Sequence, residues 1–244
     1  MIIPHKHRFK TSNTSIEYIQ EQESTNISYA KVGSSSKKLI VSFSHNGHAG
    51  FARKTSLMKL KYKRNDFDVL YIRNRHGWYL GELKGIGENI NHTVAFLKDE
   101  FTKYDKVYCV GGSAGGYASL LFGSLLSVDR VLALNAQTDL EYISSNHAHG
   151  PVLLKNNLDP DVWRKYNKIS TVLDDEVEYL VAYCGDKQIK AKTPAQLKEQ
   201  NITDISQDLL LHGDHNFDNI KNHPSVQRLS YPVSSYALND RLLK

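Results

Sequence analysis

Lys106-Val107-Tyr108-Cys109-Val110-Gly111-Gly112-Ser113-Ala114-Gly115-Gly116 is the stretch whose reading decides the fold. An apolar, β-like run enters it, and a small, apolar helical run from Ala114 to Leu126 leaves it. Strand, Gly-x-Ser-x-Gly, helix is the setting of a nucleophile elbow, in which a serine is carried at the tip of a sharp strand-to-helix turn. The turn strains the serine backbone, and its neighbours two residues away on either side have to lack a Cβ, which Gly111 and Gly115 do. It also leaves the Ala114 N–H at a helix N-terminus, where a developing oxyanion is favoured. The competing reading is a phosphate-cradling loop. That loop needs Gly-Lys-Ser/Thr before the helix, or Gly-x-Gly-x-x-Gly, and neither is present.

Working outward, the pattern upstream predicts strands at 16–21 and 27–32, paired as an antiparallel hairpin, and a stronger strand at 39–44. A loop, His45-Asn46-Gly47-His48-Ala49-Gly50, precedes a helix over about 51–62. A strand at 67–72 ends in Arg73-Asn74-Arg75-His76-Gly77, and apolar residues at helical spacing (Ile90, Val94, Leu97, Phe101) mark a helix over 88–102. Downstream, strands are expected at 130–135, 177–184 and 208–212, with a helix over Pro194–Gln200 and a C-terminal helical segment. Residues 137–175 are less regular and read as a small cap-like insertion with helical pieces at 140–144 and 161–166. Alternation of strands and helices after an antiparallel start implies one α/β domain over 1–244, a mostly parallel sheet with helices on both faces.

Composition is that of a globular chain. The 244 residues are 40% apolar, with no apolar run of the roughly 18 residues a membrane span needs. The N-terminus has charge but no apolar core of a secretory signal, and Cys109 and Cys184 lie in separate strand-like runs. These features point to the cytoplasm. The first 64 residues hold twelve Lys/Arg against three Asp/Glu, densest at Lys59, Lys61, Lys63 and Arg64. A solvated helix face explains such a cluster, and the functional alternative is an anionic partner such as an acidic glycan or the phosphates of coenzyme A. No nucleic-acid-binding motif accompanies the charge, and nucleic acid is not expected. His5-x-His7 and His147-x-His149 lack Cys or carboxylate partners at a metal-binding spacing, so no metal is expected.

Ligands of such sheets sit at the carboxyl ends of the strands. Ser113 follows one strand end, Asp186 another, and His215 the expected last one, in Gly213-Asp214-His215-Asn216. Serine needs a neighbouring imidazole, because its hydroxyl is barely ionised at neutral pH, and a carboxylate to orient that imidazole. His212 and His223 compete with His215, and Asp139 and Asp214 with Asp186. Beside Ala114, the second oxyanion donor is expected from Gly47 or His48 in the loop after strand 39–44. Arg73, Arg75 and Trp78 are candidate substrate contacts, the arginines toward phosphate or carboxylate.

On Gly111–Gly115, Cys184-Gly185-Asp186 and Gly213-Asp214-His215-Asn216, in the chain order Ser, acid, His, the sequence resembles the α/β-hydrolase superfamily over nearly its full length. Within it, the Gly-Ser-x-Gly-Gly elbow, the aromatic pair Trp78-Tyr79 and the Cys-Gly-acid segment resemble the small bacterial capsule-polysaccharide O-acetyltransferases and related glycan acyl esterases. That resemblance implies acyl transfer through a Ser113 acyl-enzyme, requiring no cofactor, from a small-molecule ester or from acetyl-CoA to water or a polysaccharide hydroxyl. A serine peptidase of the same fold and a non-catalytic glycan-binding module are the alternatives. Residues 137–175 are too few for a large lipase-type lid, which argues against long-chain triglycerides.

Overall fold

A computed structural model describes residues 12–45, 50–74, 78–146, 158–183, 214–229 and 241–243. Seven strands, β1 (Tyr29–Val32), β2 (Lys38–Phe43), β3 (Asp68–Ile72), β4 (Lys106–Gly112), β5 (Arg130–Leu134), β6 (Glu178–Ala182) and β7 (Val226–Leu229), make a single sheet in the order β1-β3-β2-β4-β5-β6-β7. Among the described residues, the β1–β3 pair is antiparallel and the other strand pairs run parallel. The carboxyl ends of β2 to β7 therefore share one edge, and the elbow strand β4 lies in the middle of the sheet.

Period-two alternation divides the sheet between two apolar layers. Leu39, Val41 and Phe43 of β2 pack with α3 (Ile90–Phe101) and α4 (Ala114–Leu125) on one face. Ile40 of β2, with Val69 and Tyr71 of β3, faces α1 (Ser12–Ser24) and α2 (Lys54–Arg64) on the other. Central β4 is buried from Val107 through Gly111, as a parallel strand covered on both sides should be. Asn89 caps α3, its side chain accepting from His92 N.

Two expectations are corrected. Residues 16–21 are not a strand but lie within α1. Ile16 and Tyr18 fit a period of two, yet Ile16 and Ile19 fit a helix equally well, and the Glu/Gln-rich composition of 17–23 favours the helix. Of the expected antiparallel hairpin, only β1 exists, and it pairs with β3. The second correction concerns the far edge. β7 was not expected; it is a four-residue edge strand with two exposed middle positions, and so has almost no hydrophobic signature. The strand expected at 208–212 and the helix at Pro194–Gln200 lie outside the described residues.

Arg73 explains how α1 is held. Expected as a substrate contact, it is instead 0% exposed. Its guanidinium donates to the carbonyls of Gln22, Glu23, Thr25 and Ile27 at 2.8–3.2 Å and lies over the Phe51 ring. The last carbonyls of a helix have no partners of their own and carry partial negative charge, so a buried guanidinium is a strong clamp there. Arg73→Met will take the guanidinium donors from the Glu23, Thr25 and Ile27 carbonyls at a cost of about 3 kcal/mol. That lowers the Tm by roughly 6–12 °C, and KM will stay unchanged for an acyl substrate. Thermal denaturation beside steady-state kinetics checks both; a raised KM at unchanged Tm restores the substrate role.

The basic cluster resolves similarly. Lys61 lies 3.6 Å from the Asp68 carboxylate, with burial pushing its ammonium pKa down, and Arg64 pairs with Asp66 at 3.1 Å. Lys59 and Lys63 remain on the exposed face of α2.

Candidate active site

Ser113 sits between β4 and α4 at φ 54°, ψ −124°, a backbone conformation that a side chain with a Cβ adopts only under strain. Its N–H donates to Leu134 O (2.9 Å), and its own carbonyl accepts from Tyr117 N (3.0 Å), closing the first turn of α4. What the flanking glycines supply is space: neither is at positive φ. A Cβ on Gly111 would fall 2.0 Å from Gly115 O, and one on Gly115 2.4 Å from Phe43 O and 2.7 Å from Ser44 O. The strain is concentrated on Ser113 itself. Ala114 is the first residue of α4, and such N–H groups have no partner inside the helix.

The close approach of Gly115 to Phe43 and Ser44 brings the end of β2, and the start of the expected oxyanion loop, against the elbow. Both ends of that loop are tied. Ser44 Oγ donates to Gly50 O (3.2 Å) and accepts from Ala52 N (2.9 Å), while the buried Tyr79 hydroxyl donates to Ser44 O at 2.6 Å. Burial pushes the Tyr79 phenol pKa far up, which keeps it a donor. Gly47 and His48 themselves, like Arg75 and Asp186, lie outside the described residues.

After β5 the chain turns at Asn135 (φ 46°) and runs beside the elbow; a Cβ on Gly116 would meet Ala136 Cβ at 2.8 Å. Gln137 is buried, and its Oε1 accepts from Trp78 Nε1. Trp78 is therefore a buried wall between the segments that follow β3 and β5. Next comes Asp139, just ahead of α5 (Leu140–Asn146), with Oδ1 accepting from Tyr142 N at 2.9 Å. Its Oδ2 lies 3.5 Å from His215 Nε2. The carboxylate is 9% exposed and the imidazole 37%, so the acid is buried while part of the imidazole stays open to solvent.

The strand expected just before His215, at 208–212, lies outside the described residues, and His215 itself lies in a short helical stretch, 214–218, that precedes β7. Its main chain is fixed by its neighbour: Thr138 N donates to Asn216 Oδ1 (2.9 Å), and Thr138 Oγ1 donates to Asn216 O (2.6 Å). The rival His223 belongs elsewhere, 3.2 Å from Asp175 and beside Ser225, ahead of the amino end of β7. His212 lies outside the described residues. Among the described residues, Asp139 is the carboxylate that faces His215; Asp186, the acid expected from the sequence, lies outside them.

The cap-like stretch, where described, packs on this site. Tyr117 of α4 donates to Tyr166 O at 2.6 Å, at the end of α6 (Pro160–Tyr166), and Ile169 N donates to Thr138 O at 2.9 Å. No group of three or more His, Cys, Asp or Glu suited to a metal occurs among the described residues.

No family model matches the chain, and no curated protein matches it in sequence. Solved structures do match. FphF, a fluorophosphonate-binding serine hydrolase of Staphylococcus aureus, aligns at TM-score 0.53 and 14% identity, covering 87% of this chain and 82% of that one. Est1E of Butyrivibrio proteoclasticus aligns at 0.51 and 12%, covering 88% and 94%. The capsule O-acetyltransferase of Neisseria meningitidis serogroup A aligns at 0.50 and 14%, covering 87% and 86%. The chain has the α/β-hydrolase fold. In the α/β-hydrolase fold the order along the chain is Ser, acid, His, which Ser113, Asp139 and His215 follow as well as the Asp186 set does. No helix among the described residues is long and apolar enough to cross a membrane.

Proposed function

We propose that this protein is a serine-dependent acyl-transfer enzyme, an esterase or O-acyltransferase, with Ser113 as nucleophile, His215 as base and Asp139 as the acid that orients it. The observation that carries the reading is the strained Ser113 at the β4–α4 turn, beside the segment that holds an Asp139–His215 pair. Ser113 Oγ attacks the acyl carbonyl carbon while His215 accepts the hydroxyl proton on the ring nitrogen not turned to Asp139. The oxyanion is held by Ala114 N–H and by a donor from the 45–49 loop, Gly47 or His48. Collapse expels an alkoxide or thiolate, which takes the proton from His215 and leaves an acyl-Ser113 ester. An acceptor hydroxyl, from water or a sugar, then gives its proton to His215 and attacks the acyl carbon; the acyl group passes to the acceptor, and the departing Ser113 Oγ takes the proton back from His215, restoring both.

The substrate is a small or glycan-borne acyl group, with acetyl-CoA as candidate donor and a polysaccharide as candidate acceptor. The neighbours in fold include Est1E with ferulic acid bound and a capsule O-acetyltransferase, which support a small or glycan-borne acyl group as the substrate class. Cys109, an unpaired thiol buried in β4, fits a cytoplasmic setting.

A fluorophosphonate probe will form a covalent adduct on Ser113, located by mass spectrometry of the digest. A folded preparation that carries no Ser113 adduct sinks the proposal. CoA released from acetyl-CoA faster in the presence of an oligosaccharide identifies a transferase, and release unaffected by it identifies a hydrolase.

A further inference from the structure

Tyr142 has no part in the reaction as written, yet its ring lies flat against His215, centroids 3.5 Å apart and planes 17° from parallel. The same residue donates its N–H to Asp139 Oδ1, while Asp139 Oδ2 faces the imidazole. One position earlier than the acid, Thr138 takes both the side chain and the carbonyl of Asn216. Five consecutive residues, 138–142, thus hold His215 from three directions: main chain, ring edge and ring face.

We propose that Tyr142 is the positioning residue of His215, resting on the reading of His215 as base. A catalytic imidazole has to present one nitrogen to its carboxylate and the other to the serine, within a few tenths of an ångström. His215 is about one-third exposed, and its Nε2, 3.5 Å from Asp139, makes no hydrogen bond. Catalytic hydrogen bonds of an unliganded site are commonly long and tighten with substrate. Until they do, the Asp139 contact alone does not fix the ring. A flat aromatic contact does: it blocks tilting out of plane and leaves rotation within the plane, the motion that closes the gap to Asp139. Because Tyr142 N and Asp139 Oδ1 are bonded, the ring face and the ring edge are set by one turn of backbone. The ring also favours a positive charge over its face, which is the charge His215 carries while it holds the serine proton.

The test uses the full chain with Tyr142 replaced by Leu, Met and Phe. A misplacement of the base by about 1 Å costs on the order of a hundredfold in turnover, so Tyr142→Leu and Tyr142→Met are expected to lower kcat by roughly ten- to a hundredfold. KM should stay within about twofold, because the ring holds the base and not the substrate. Tyr142→Phe should restore kcat, since it keeps the ring face and loses only the hydroxyl. An activity-independent signature accompanies these: the His215 Cε1 proton, assigned with His215→Gln, should be displaced upfield by the tyrosine ring current in wild type and in Tyr142→Phe, and released in Tyr142→Leu. A His215 resonance unchanged in Tyr142→Leu, or kcat within twofold of wild type in both aliphatic variants, overturns the proposal. Failure of wild-type Ser113 to label with fluorophosphonate overturns the proposed reaction instead, and with it this role for Tyr142.

Discussion

Ser113→Ala will lose acyl transfer by on the order of 10⁴-fold or more while the fold persists. Removing the nucleophile takes away the acyl-enzyme route altogether, leaving what binding and the oxyanion donors supply to direct attack by water. Fluorophosphonate labelling will vanish with it. The glycine variant carries a second, opposite effect. At φ 54°, ψ −124°, the serine backbone stores roughly 1–3 kcal/mol that glycine, with no Cβ, does not store. Part of that gain is offset by the greater freedom of glycine in the unfolded chain, about 0.5–1 kcal/mol. Ser113→Gly is therefore expected to be as inactive as the alanine variant, yet more stable than wild type by about 1 kcal/mol, a rise of roughly 2–4 °C in Tm. Paired kinetics and thermal melts check this. A glycine variant less stable than the alanine one contradicts the strain, and ester turnover that survives in both contradicts the nucleophile.

Asp139→Asn will cost on the order of 10³- to 10⁴-fold in kcat, because an amide cannot hold the imidazole in the tautomer that frees its other nitrogen for serine. Asparagine still accepts a hydrogen bond from Tyr142 N, so α5 keeps its start and the Tm should move by no more than about 2 °C. Asp139→Ala confounds the two roles: it removes the acid and also the acceptor of Tyr142 N, for about 1 kcal/mol of stability besides. The asparagine variant is the clean probe. Asp186→Asn, measured beside it, should keep kcat within about threefold. If the larger loss falls on Asp186, the acid is Asp186, and Asp139 serves only as the start of α5 and a neighbour of the imidazole.

The parts of the fold that were legible in the sequence are those where a side-chain pattern had one physical explanation. β4, α4 and the serine between them follow from an apolar run, two obligatory glycines (Gly111 and Gly115) and an apolar helix. The buried strands β2, β3, β5 and β6 follow from their continuous Val/Ile/Leu/Tyr content. Misreadings arose where one pattern had two explanations. Ile16, Tyr18 and Ile19 suit a strand or a helix, and docking of α1 through Glu23 against Arg73 and Phe51 agrees with the helix that the Glu/Gln-rich composition favours. β7 is an edge strand, so its middle residues carry no burial signal at all. Arg73 illustrates the limit for single charges: an arginine after a strand in an α/β sheet faces either a ligand or a helix end, and the sequence does not say which. The acid has the same ambiguity, since Asp139 and Asp186 both follow strands beyond the elbow. What the sequence lacks is the distance between Asp139 and His215, 76 positions apart along the chain.

The double tie on Ser44 has a consequence for how this protein could change. With its hydroxyl bridging Gly50 and Ala52 and its carbonyl held by Tyr79, the ends of the segment after β2 are anchored independently of what lies between them. Lengthening a loop between fixed ends costs only its closure entropy, about 0.6 kcal/mol for each doubling. The chain between His45 and Gly50 can therefore lengthen or change composition at little expense to the rest of the molecule. A library that varies that segment and leaves Ser44 and Tyr79 untouched should stay folded, and loss of turnover among its folded members reports the oxyanion donor proposed at Gly47 or His48.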